Sequence, residues 1–291
     1  MIELLNFIGL KTKLIKKKKI IEIFNNDKNI NTLAPYKLVK TMRAGVLVLG
    51  SLLTKYGKAK VSLPGGCAIG TRPVDLHLLA LKKLGAKIKI KDGYILADAK
   101  KGLKGATIKF PSISVGATEN ALIASFRAKG KTILKNCSTE PEIKDLIAFL
   151  KKLGANINTK GRTITIIESR VRSSNITHQV IFDRIELGTY MIISAMLAKK
   201  DILIDKIDPK IIKSEINILK KIGVQIKQNK NSVMIRKGNK LKKINVTTKP
   251  YPGFPTDLQA QLMVLLTQVN GVSRVKENIF ENRFMHVPEL K

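Results

Sequence analysis

The chain has 291 residues, 44% of them hydrophobic, so it is long enough for two hydrophobic cores and too apolar for a disordered protein. Its longest apolar runs, around 46–53 and 191–198, fall well short of the roughly 20 residues that cross a bilayer, so no membrane-spanning helix is predicted. Apolar residues precede the N-terminal lysine run, the reverse of a secretory signal, so we expect a cytoplasmic protein without membrane contact.

The formal charge of +33 at pH 7 would suit a nucleic-acid-binding protein, but the distribution of the charge does not. Only ten of the 54 basic residues are arginines, and the lysines are spread along the whole chain. No zinc-finger spacing, aromatic RNA-binding motif or basic heptad helix accompanies the densest clusters, 16–19 and 240–243. We therefore expect no nucleic-acid partner, since a small anionic substrate accounts for the charge equally well.

The cysteines and histidines do not form the pattern of a disulfide framework or a metal site. Two cysteines in a chain expected to be cytoplasmic argue against disulfides, so each has to be interpreted on its own. His77, His178 and His286 are scattered, without a second ligand at helical spacing, which makes a zinc site unfavoured.

A repeated segment organises the chain. Gly85, Gly154 and Gly223 are spaced 69 residues apart, and Gly9 precedes Gly85 by 76 residues. Each glycine follows apolar residues at helical spacing and precedes alternating apolar and polar residues. This pattern predicts an amphipathic helix, a left-handed glycine that ends it, and a two-stranded ribbon that covers the helix and turns its lysines to water. No Gly-x-Gly-x-x-Gly follows a strand, so we predict an α/β repeat architecture and not a Rossmann fold.

Both ends of the sequence fall inside a repeat. The first copy begins at its helix, and 284–291 resembles the start of a further helix that stops before its glycine. Because an array of whole repeats would not start and finish inside one, we expect this sequence to lack both ends of the array.

The first segment that departs from the repeat is 63–77. It places Cys67 among glycines and prolines, which predicts a mobile loop rather than a helix or strand. Arg72 lies close in sequence, and a nearby cation would favour the reactive thiolate. A buried, unreactive cysteine accounts for the same spacing equally well.

Two further segments depart from the repeat near the end of the chain. In 251–261, two prolines precede Asp257, and the residue pattern favours an N-cap of the helix running through 258–267, worth about 1 kcal/mol. In 279–289, dense polar residues in an apolar frame indicate a ligand-facing loop, although an ordinary turn fits them as well.

Taken together, several segments resemble the UDP-N-acetylglucosamine enolpyruvyl transferase family. They are Pro-Gly-Gly-Cys (64–67) with Arg-Pro-Val-Asp-Leu-His (72–77), Pro-Tyr-Lys-Leu-Val-Lys-Thr-Met-Arg-Ala (35–44), Ser-Val-Gly-Ala-Thr (114–118), Glu-Pro-Glu (140–142), Phe-Pro-Thr-Asp-Leu-Gln-Ala-Gln (254–261) and Phe-Glu-Asn-Arg-Phe-Met-His-Val-Pro-Glu-Leu (280–290). They occur in the family's order and at its spacing across nearly the whole chain. The sibling family, enolpyruvylshikimate phosphate synthase, lacks the cysteine loop and is a distant alternative.

The resemblance implies the enolpyruvyl transferase fold, an inside-out α/β barrel of repeated helix-plus-strand modules with the active site in a cleft between two domains. The family has six repeats, so this chain would be incomplete, with a catalytic-loop domain at 1–181 and part of a second domain at 182–291. The implied reaction transfers the enolpyruvyl group of phosphoenolpyruvate to the 3-hydroxyl of UDP-N-acetylglucosamine and releases phosphate. It needs no metal or organic cofactor and is the first committed, cytoplasmic step of peptidoglycan synthesis.

The resemblance also assigns roles to single residues. Cys67 matches the loop thiol that donates a proton, forms an adduct with phosphoenolpyruvate and binds fosfomycin covalently. Arg72 matches a cation beside the phosphate and carboxylate of phosphoenolpyruvate, and Asp257 matches the carboxylate beside the sugar hydroxyl, a candidate general base. For Asp257 and Cys67 the resemblance therefore replaces the N-cap and the unreactive cysteine that the residue pattern alone allowed. The residues expected to contact substrate are Arg43, Arg72, Pro73, Val74, Asp75, Leu76, Ser112, Ile113, Ser114, Val115, Asp257 and Ile279.

Two parts of the family pattern have no counterpart in this sequence, an N-terminal Lys-Asn pair and a late Asp-Leu-Arg segment followed by a further arginine. We therefore carry three hypotheses. The chain is an enolpyruvyl transferase, or an inactive remnant that still binds the sugar nucleotide, or, less favoured, a basic nucleic-acid-binding protein. Phosphate release separates the first hypothesis from the second, and binding to DNA that survives raised salt would support the third.

Overall fold

The computed structural model describes residues 1–15, 17, 20–25, 30–40, 42–65, 74–171, 175–236, 238 and 240–291. Cys67, Arg72 and Pro73 lie outside these ranges, as does most of the loop predicted at 63–77. The helices of the described part are α1 (Ile2–Ile8), α2 (Tyr36–Val39), α3 (Val48–Tyr56), α4 (Asp75–Lys83), α5 (Val115–Ser125), α6 (Pro141–Lys152), α7 (Arg184–Leu197), α8 (Lys213–Ile222), α9 (Gln259–Leu266) and α10 (Val287–Leu290). The strands are β1 (Lys11–Ile15), β2 (Ile20–Phe24), β3 (Leu33–Ala34), β4 (Lys58–Ser62), β5 (Lys87–Lys91), β6 (Tyr94–Asp98), β7 (Thr107–Lys109), β8 (Lys131–Lys135), β9 (Asn156–Lys160), β10 (Thr163–Ile167), β11 (Ile202–Asp205), β12 (Gln225–Gln228), β13 (Ser232–Arg236), β14 (Asn245–Thr247) and β15 (Arg274–Lys276).

The chain divides into two compact units, each with a hydrophobic core of its own. Unit 1 comprises Met1–Cys67, Thr71–Ser138 and Ile143–His178, and unit 2 comprises Ala68–Gly70, Thr139–Glu142 and Gln179–Lys291. The core of unit 1 includes the fully buried side chains of Leu81, Phe110 and Leu122. The core of unit 2 includes those of Met191, Ile216 and Leu262.

Unit 1 contains two sheets of the same topology, with strand orders β3-β4-β6-β5 and β7-β8-β10-β9. In both, the first two strands run parallel and the other neighbours run antiparallel. Helical segments connect the parallel strands, α2 and α3 in the first sheet and α5 in the second, and a further helix leads into the last two strands. The repeating module is therefore strand, helix, strand, helix and two strands, about twice the helix-plus-ribbon segment found in the sequence.

Unit 2 follows this order from the first helix of the module onward. The run α7, β11, α8, β12 and β13 folds into a sheet of order β11-β13-β12 with antiparallel neighbours. The following run, β14, α9 and β15, has the parallel pairing with which the modules of unit 1 begin. The predicted α/β repeat architecture is confirmed in both units.

Four helices end in the same glycine cap. Gly9, Gly85, Gly154 and Gly223 have φ angles of 105°, 96°, 104° and 105°, which is the left-handed region that favours glycine. Each glycine N–H donates to the carbonyl three residues earlier, and the next N–H donates to the carbonyl five residues earlier, at 2.9–3.0 Å. This Schellman motif satisfies the last carbonyls of the helix, and it explains why glycine marks the period of the repeat.

The outer strands carry the lysines. Lys87, Lys89 and Lys91 of β5 are exposed, whereas Ile95 and Ala97 of the neighbouring β6 are buried. The helices between the sheets supply much of the core, and α5 buries residues around most of its circumference. Across the residues that the structure describes, no helix has both the length and the apolar character needed to span a membrane.

One face of unit 2 exposes a strip of apolar side chains along α7 and β11. Tyr190, Ile193 and Leu197 are exposed on the helix, with Leu197 70% accessible. Ile202, 39% exposed on β11, lies beside Tyr190. Beside the strip, Phe182, Ile204 and Ile207 line a shallow groove.

Candidate functional site

Unit 1 brings two of the predicted substrate-binding segments together at the first turns of α4 and α5. His77 of α4 lies against Gly116 of α5, where a Cβ atom would be 3.1 Å from the imidazole Cε1. Ser114 is the N-cap of α5, and its hydroxyl oxygen accepts a hydrogen bond from the Ala117 amide at 3.3 Å. Amides in a first helical turn lack partners within the helix and favour anions, so the pair of helix ends can bind a negatively charged group.

The structure corrects one prediction for this region. Residues 63–77 were predicted to form a loop without helix, but α4 already begins at Asp75. Asp75 is exposed, Leu76 is half-buried and Val74 is buried just before the helix. The reason is that 75–83 carries the amphipathic pattern of the repeat. In addition, an acidic residue in the first turn interacts favourably with the helix dipole and stabilises the start of the helix.

A buried polar cluster fixes the position of His77. The Asn120 side-chain amide donates towards His77 Nδ1 at 3.1 Å and to the Val46 carbonyl at 3.2 Å, and its oxygen accepts from the Gly50 amide at 2.9 Å. A Cβ atom at Gly50 would lie 2.2 Å from that oxygen, so the contact requires glycine. The cluster therefore ties α4 and α5 to the segment that contains α3.

His77 is neutral, and its ring proton has no acceptor among the residues that the structure describes. Because Asn120 donates to Nδ1, the proton of the neutral ring belongs on Nε2, which has no partner among the described residues although His77 is only 2% exposed. Burial lowers the pKa of His77 to about 4, and the Arg43 charge adds to this while Asp75 opposes it. An unpaired buried donor costs about 1–3 kcal/mol, so an acceptor that reached Nε2 would be stabilised.

Arg43 and the beginning of the Cys67 loop lie in the same region. Arg43 opens a 3₁₀ turn (Arg43–Leu47), is half-buried, and is close enough to lower the pKa of His77. A Cβ atom at Gly65 would lie 2.6 Å from the Lys40 carbonyl oxygen, so the chain leading to Cys67 packs against the segment that leads to Arg43. Unit 1 thus places a cation, two helix ends and the start of the thiol loop near one another.

The second cysteine is excluded as a reactive group. Cys137 is fully buried and free, and burial raises its pKa to about 12. The thiolate, which is the nucleophilic form, is then scarce at neutral pH. Of the two cysteines, Cys67 is the one left as a candidate for chemistry.

In unit 2, Asp257 presents a carboxylate to solvent. Its side chain is 54% exposed, and the Arg283 guanidinium donates to Oδ1 through Nη2. The prediction that Asp257 caps the following helix is wrong. Asp257 lies inside a 3₁₀ turn (Thr256–Leu258) that begins after Pro255, and α9 starts at Gln259 without a side-chain cap.

A hydrogen-bond network joins Asp257 to the segment of Ile279. Arg283 Nε also donates to the Thr256 carbonyl at 3.3 Å, and the Thr256 hydroxyl donates to Glu277 Oε2 at 2.8 Å. Glu277 Oε1 accepts from the Ile279 amide at 2.6 Å, which fixes the backbone of that half-buried residue. Within the described part of the chain Asp257 Oδ2 has no hydrogen-bond partner, so the carboxylate can still accept a hydroxyl proton.

Arg283 was not among the predicted site residues, although it lies in the segment 280–290 that carries the resemblance. Two features of the sequence could have indicated a functional role for Arg283: it lies within a polar run, and arginine is scarce in this chain.

A second buried cluster of unit 2 was also missed. Arg184 pairs with Glu142 through Nε at 3.0 Å and approaches Glu215 through Nη1 at 3.9 Å, while its Cζ lies 5.7 Å from the centre of the Tyr251 ring. Burial raises the pKa of Glu215 to about 7, against the favourable charge of Arg184. The cluster holds the Glu-Pro-Glu segment to α7 and α8 within unit 2.

The remaining predicted substrate contacts are surface-accessible. Ser112 is exposed, and Ile113, Ser114 and Val115 are half-buried as the chain enters α5. In the residues covered by the structure no three His, Cys, Asp or Glu side chains come together as metal ligands. Unit 1 therefore offers donors and a cation for an anionic ligand, and unit 2 offers an oriented carboxylate for proton transfer.

Comparison with known proteins identifies close relatives. The EPSP synthase (3-phosphoshikimate 1-carboxyvinyltransferase) family matches residues 1–291. The UDP-N-acetylglucosamine 1-carboxyvinyltransferase of Pelagibacter ubique is 58% identical over 290 residues, which are 100% of this chain and 69% of that protein. The enzymes of the same name from Endomicrobium trichonymphae and Rickettsia prowazekii are each 49% identical, over 100% and 99% of this chain and 68% and 69% of their own length.

Solved structures show the same fold. The enolpyruvyl transferase NikO from Streptomyces tendae superposes with a TM-score of 0.84 at 21% identity, over 99% of this chain and 68% of that one. EPSP synthase from Acinetobacter baumannii superposes with a TM-score of 0.64 at 16% identity, over 94% of this chain and 63% of that one. The predicted enolpyruvyl transferase fold is confirmed, and the chain belongs to the enolpyruvyl transferase family.

Proposed function

We propose that this protein transfers the enolpyruvyl group of phosphoenolpyruvate to the 3-hydroxyl of UDP-N-acetylglucosamine and releases phosphate. The observation that carries the proposal is the 58% identity over the whole chain to a UDP-N-acetylglucosamine 1-carboxyvinyltransferase. The cysteine loop at 64–67 supports the sugar nucleotide as the substrate. The resemblance implies this because the sibling family, which acts on shikimate phosphate, lacks the loop.

In the first step that we propose, the sugar hydroxyl adds to phosphoenolpyruvate. The hydroxyl oxygen bonds to C2 while its proton passes to the Asp257 carboxylate, and the Cys67 thiol gives a proton to C3. The product is a tetrahedral intermediate that carries the phosphate, the carboxylate and the new ether on C2. Arg283 acts as a positioning residue, since its hydrogen bond to Oδ1 leaves Oδ2 to receive the proton.

In the second step the intermediate eliminates phosphate. A proton returns from C3 to the Cys67 thiolate, the C2–C3 double bond forms again, and the bond from C2 to the phosphate oxygen breaks. Asp257 gives the former hydroxyl proton to the departing phosphate, so both groups end as they began. Arg72 would balance the negative charge on phosphoenolpyruvate, for which a guanidinium has suitable geometry.

The substrate diphosphate is assigned to unit 1. The first-turn amides of α5, the Nε2 proton of His77 and the Arg43 charge all favour a negatively charged oxygen. The proposed contacts in this unit are Arg43, Arg72, Pro73, Val74, Asp75, Leu76, Ser112, Ile113, Ser114 and Val115. In unit 2 they are Asp257 and Ile279.

The same proposal includes the setting of the reaction. It would take place in the cytoplasm as the first committed step of peptidoglycan synthesis, and thereby support cell shape and division. Residues 1–181 and 182–291 would act as the two domains of the enzyme. Fosfomycin would attach to the sulfur of Cys67.

The test is phosphate release from phosphoenolpyruvate by the 291-residue chain, with and without UDP-N-acetylglucosamine. We expect release that requires both substrates and is lost in Cys67→Ala. The matched control is Cys137→Ala, which removes the buried, unreactive thiol and should keep the activity.

Two outcomes would contradict the proposal. Phosphate release that does not depend on the sugar nucleotide would contradict the substrate assignment, and unchanged release by Cys67→Ala would contradict the role of the thiol. Sugar-nucleotide binding by folded protein without any phosphate release would instead support the binding-only remnant.

A further inference from the structure

A basic cavity of about 340 Å³ lies in unit 1. Its charged lining consists of Lys55, Arg127, Lys129, Arg170 and one carboxylate, Glu168. None of these residues is among the predicted or proposed substrate contacts.

Backbone hydrogen bonds hold the cationic positions in a fixed arrangement. The Lys129 amide donates to the Leu103 carbonyl at 2.9 Å, and the Ser169 amide donates to the Phe126 carbonyl at 3.0 Å. The Glu168 amide donates to the Gly130 carbonyl at 2.8 Å. Arg127 follows Phe126 and Arg170 follows Ser169 in the chain. The hydrogen bond between Phe126 and Ser169 therefore holds the two arginines on neighbouring backbone segments.

Three of the four cations that line the cavity have no ion-pair partner among the described residues. In the part of the chain that the structure describes, neither Arg127 nor Arg170 forms an ion pair or a side-chain hydrogen bond, and the Lys129 ammonium forms none. The carboxylate is engaged, because Glu168 Oε2 accepts from the Gly130 amide at 3.2 Å. The exposed cations Arg127, Lys129 and Arg170 thus outnumber the one carboxylate of the lining, so the cavity keeps an excess of positive charge.

The neutral hydroxyls of the cavity cannot serve as donors to a ligand. The Thr54 hydroxyl donates to the Gly50 carbonyl at 2.7 Å, and the Ser169 hydroxyl donates to the Ile167 carbonyl at 2.6 Å. A ligand would therefore be bound by guanidinium and ammonium groups, which favour a compact group with several negative charges.

The two arginines of the lining indicate a ligand more strongly than its lysines do. Lysine accounts for most of the +33 charge and occurs everywhere, whereas the chain has only ten arginines. Two of them line this one cavity. The C-terminal ends of α3 and α5 are the negative ends of their helix dipoles and stabilise nearby cations. This explains the presence of Lys55 and Arg127 but not that of Arg170, which follows β10.

We propose that this cavity is a binding site for a compact polyphosphate, a di- or triphosphate group, separate from the candidate active site. Arg127 and Arg170 bind its oxygens through their planar guanidinium groups, and Lys129 adds charge. The group is supplied either as free pyrophosphate or as the phosphate chain of a nucleotide. The inference does not depend on the proposed transferase reaction.

The experiment is calorimetric titration of the full chain with pyrophosphate at about 50 mM salt, where screening is weak. We expect the double variant Arg127→Gln, Arg170→Gln to bind about tenfold or more weakly, because it loses charge-assisted hydrogen bonds to the ligand. Arg127→Lys, Arg170→Lys keeps the charge without the planar fork and should fall between the two. Circular dichroism checks that the variants, which change exposed side chains, remain folded.

Two control variants locate the binding. Lys227→Gln, Lys230→Gln removes the same charge from exposed positions of unit 2, and Arg43→Gln alters the candidate active site. The lysine variant should bind pyrophosphate like the parent. Arg43→Gln should weaken only the binding at the diphosphate contacts proposed for the active site, and should keep the binding that the Gln double variant loses. An equal loss in the lysine variant would show diffuse attraction to the basic surface, a loss in Arg43→Gln alone would place the ligand in the candidate active site, and either result would overturn the proposal.

A parallel titration with ADP distinguishes the two sources of the polyphosphate. Tighter binding of ADP than of pyrophosphate, lost in the Gln double variant, would identify a nucleotide. Equal or weaker binding of ADP would identify the free polyphosphate. Parent-like binding of both probes by the double variant, or no binding by the parent, would refute the site.

Discussion

Acidification should destabilise unit 1 through a single residue, His77. Its pKa is about 4 in the folded chain against an ordinary value of 6.5, so between these values the unfolded chain binds the proton and the folded chain does not. Stability is therefore complete above pH 6.5 and decreases as the pH falls towards 4. One pH unit of difference is worth about 1.4 kcal/mol, which gives about 2 kcal/mol lost at pH 5 and about 3 kcal/mol in full.

The matched variant is His77→Gln, which cannot titrate but keeps an oxygen that can accept from Asn120. At pH 7.5 the variant should be less stable than the parent, and this difference should shrink by about 2 kcal/mol at pH 5. Hydrogen–deuterium exchange of peptides from α5, corrected for intrinsic exchange rates, reports the opening free energy of unit 1 by itself. If the difference between parent and variant stays constant to within about 0.5 kcal/mol over this range, burial of a neutral His77 is the wrong explanation.

Three further predictions concern other residues. Glu215→Gln should gain stability relative to the parent by about 2.5 kcal/mol between pH 5 and pH 8, because the raised pKa of Glu215 makes its ionisation above about 7 costly; parallel unfolding curves would contradict this. Gly85→Ala should cost about 1–2 kcal/mol from its left-handed backbone alone. Gly223→Ala should cost more in urea unfolding, because its Cβ would lie 2.7 Å from the Lys240 carbonyl oxygen, and equal costs would refute that contact. In the phosphate-release assay Asp257→Asn should lose about 100-fold or more in rate, and Arg283→Gln about tenfold with partial rescue by Arg283→Lys; an unaffected Arg283→Gln would exclude the positioning role.

The sequence predicted the elements whose residues recur at a regular spacing. The Schellman glycines recur because each must adopt a left-handed conformation, and the helices before them are amphipathic because one face meets a sheet. The first half of each module was not predicted from the sequence. Its helix α5 is buried around most of its circumference, so its apolar residues show no helical period.

The candidate site was predictable only where residues lie close in sequence. The resemblance proposes Asp257 and the segment 112–115 as site residues from local motifs. The contact of His77 with Asn120 and that of Arg184 with Glu215 join residues far apart in the chain, so no local sequence pattern predicts them. The N-cap prediction for Asp257 failed because the chain after Pro255 first forms a 3₁₀ turn, which moves the start of the helix beyond the aspartate.

The exposed apolar strip on α7 and β11 has a consequence for how the protein behaves in solution. Tyr190, Leu197 and Ile202 expose apolar surface to water, which favours contact between neighbouring molecules, whereas the charge of +33 repels them. Added salt shortens the reach of that repulsion to about 3 Å at 1 M and leaves the apolar attraction in place. Purification at low ionic strength therefore favours dispersed molecules, and high salt, which usually removes contaminating nucleic acid from basic proteins, would here promote self-association.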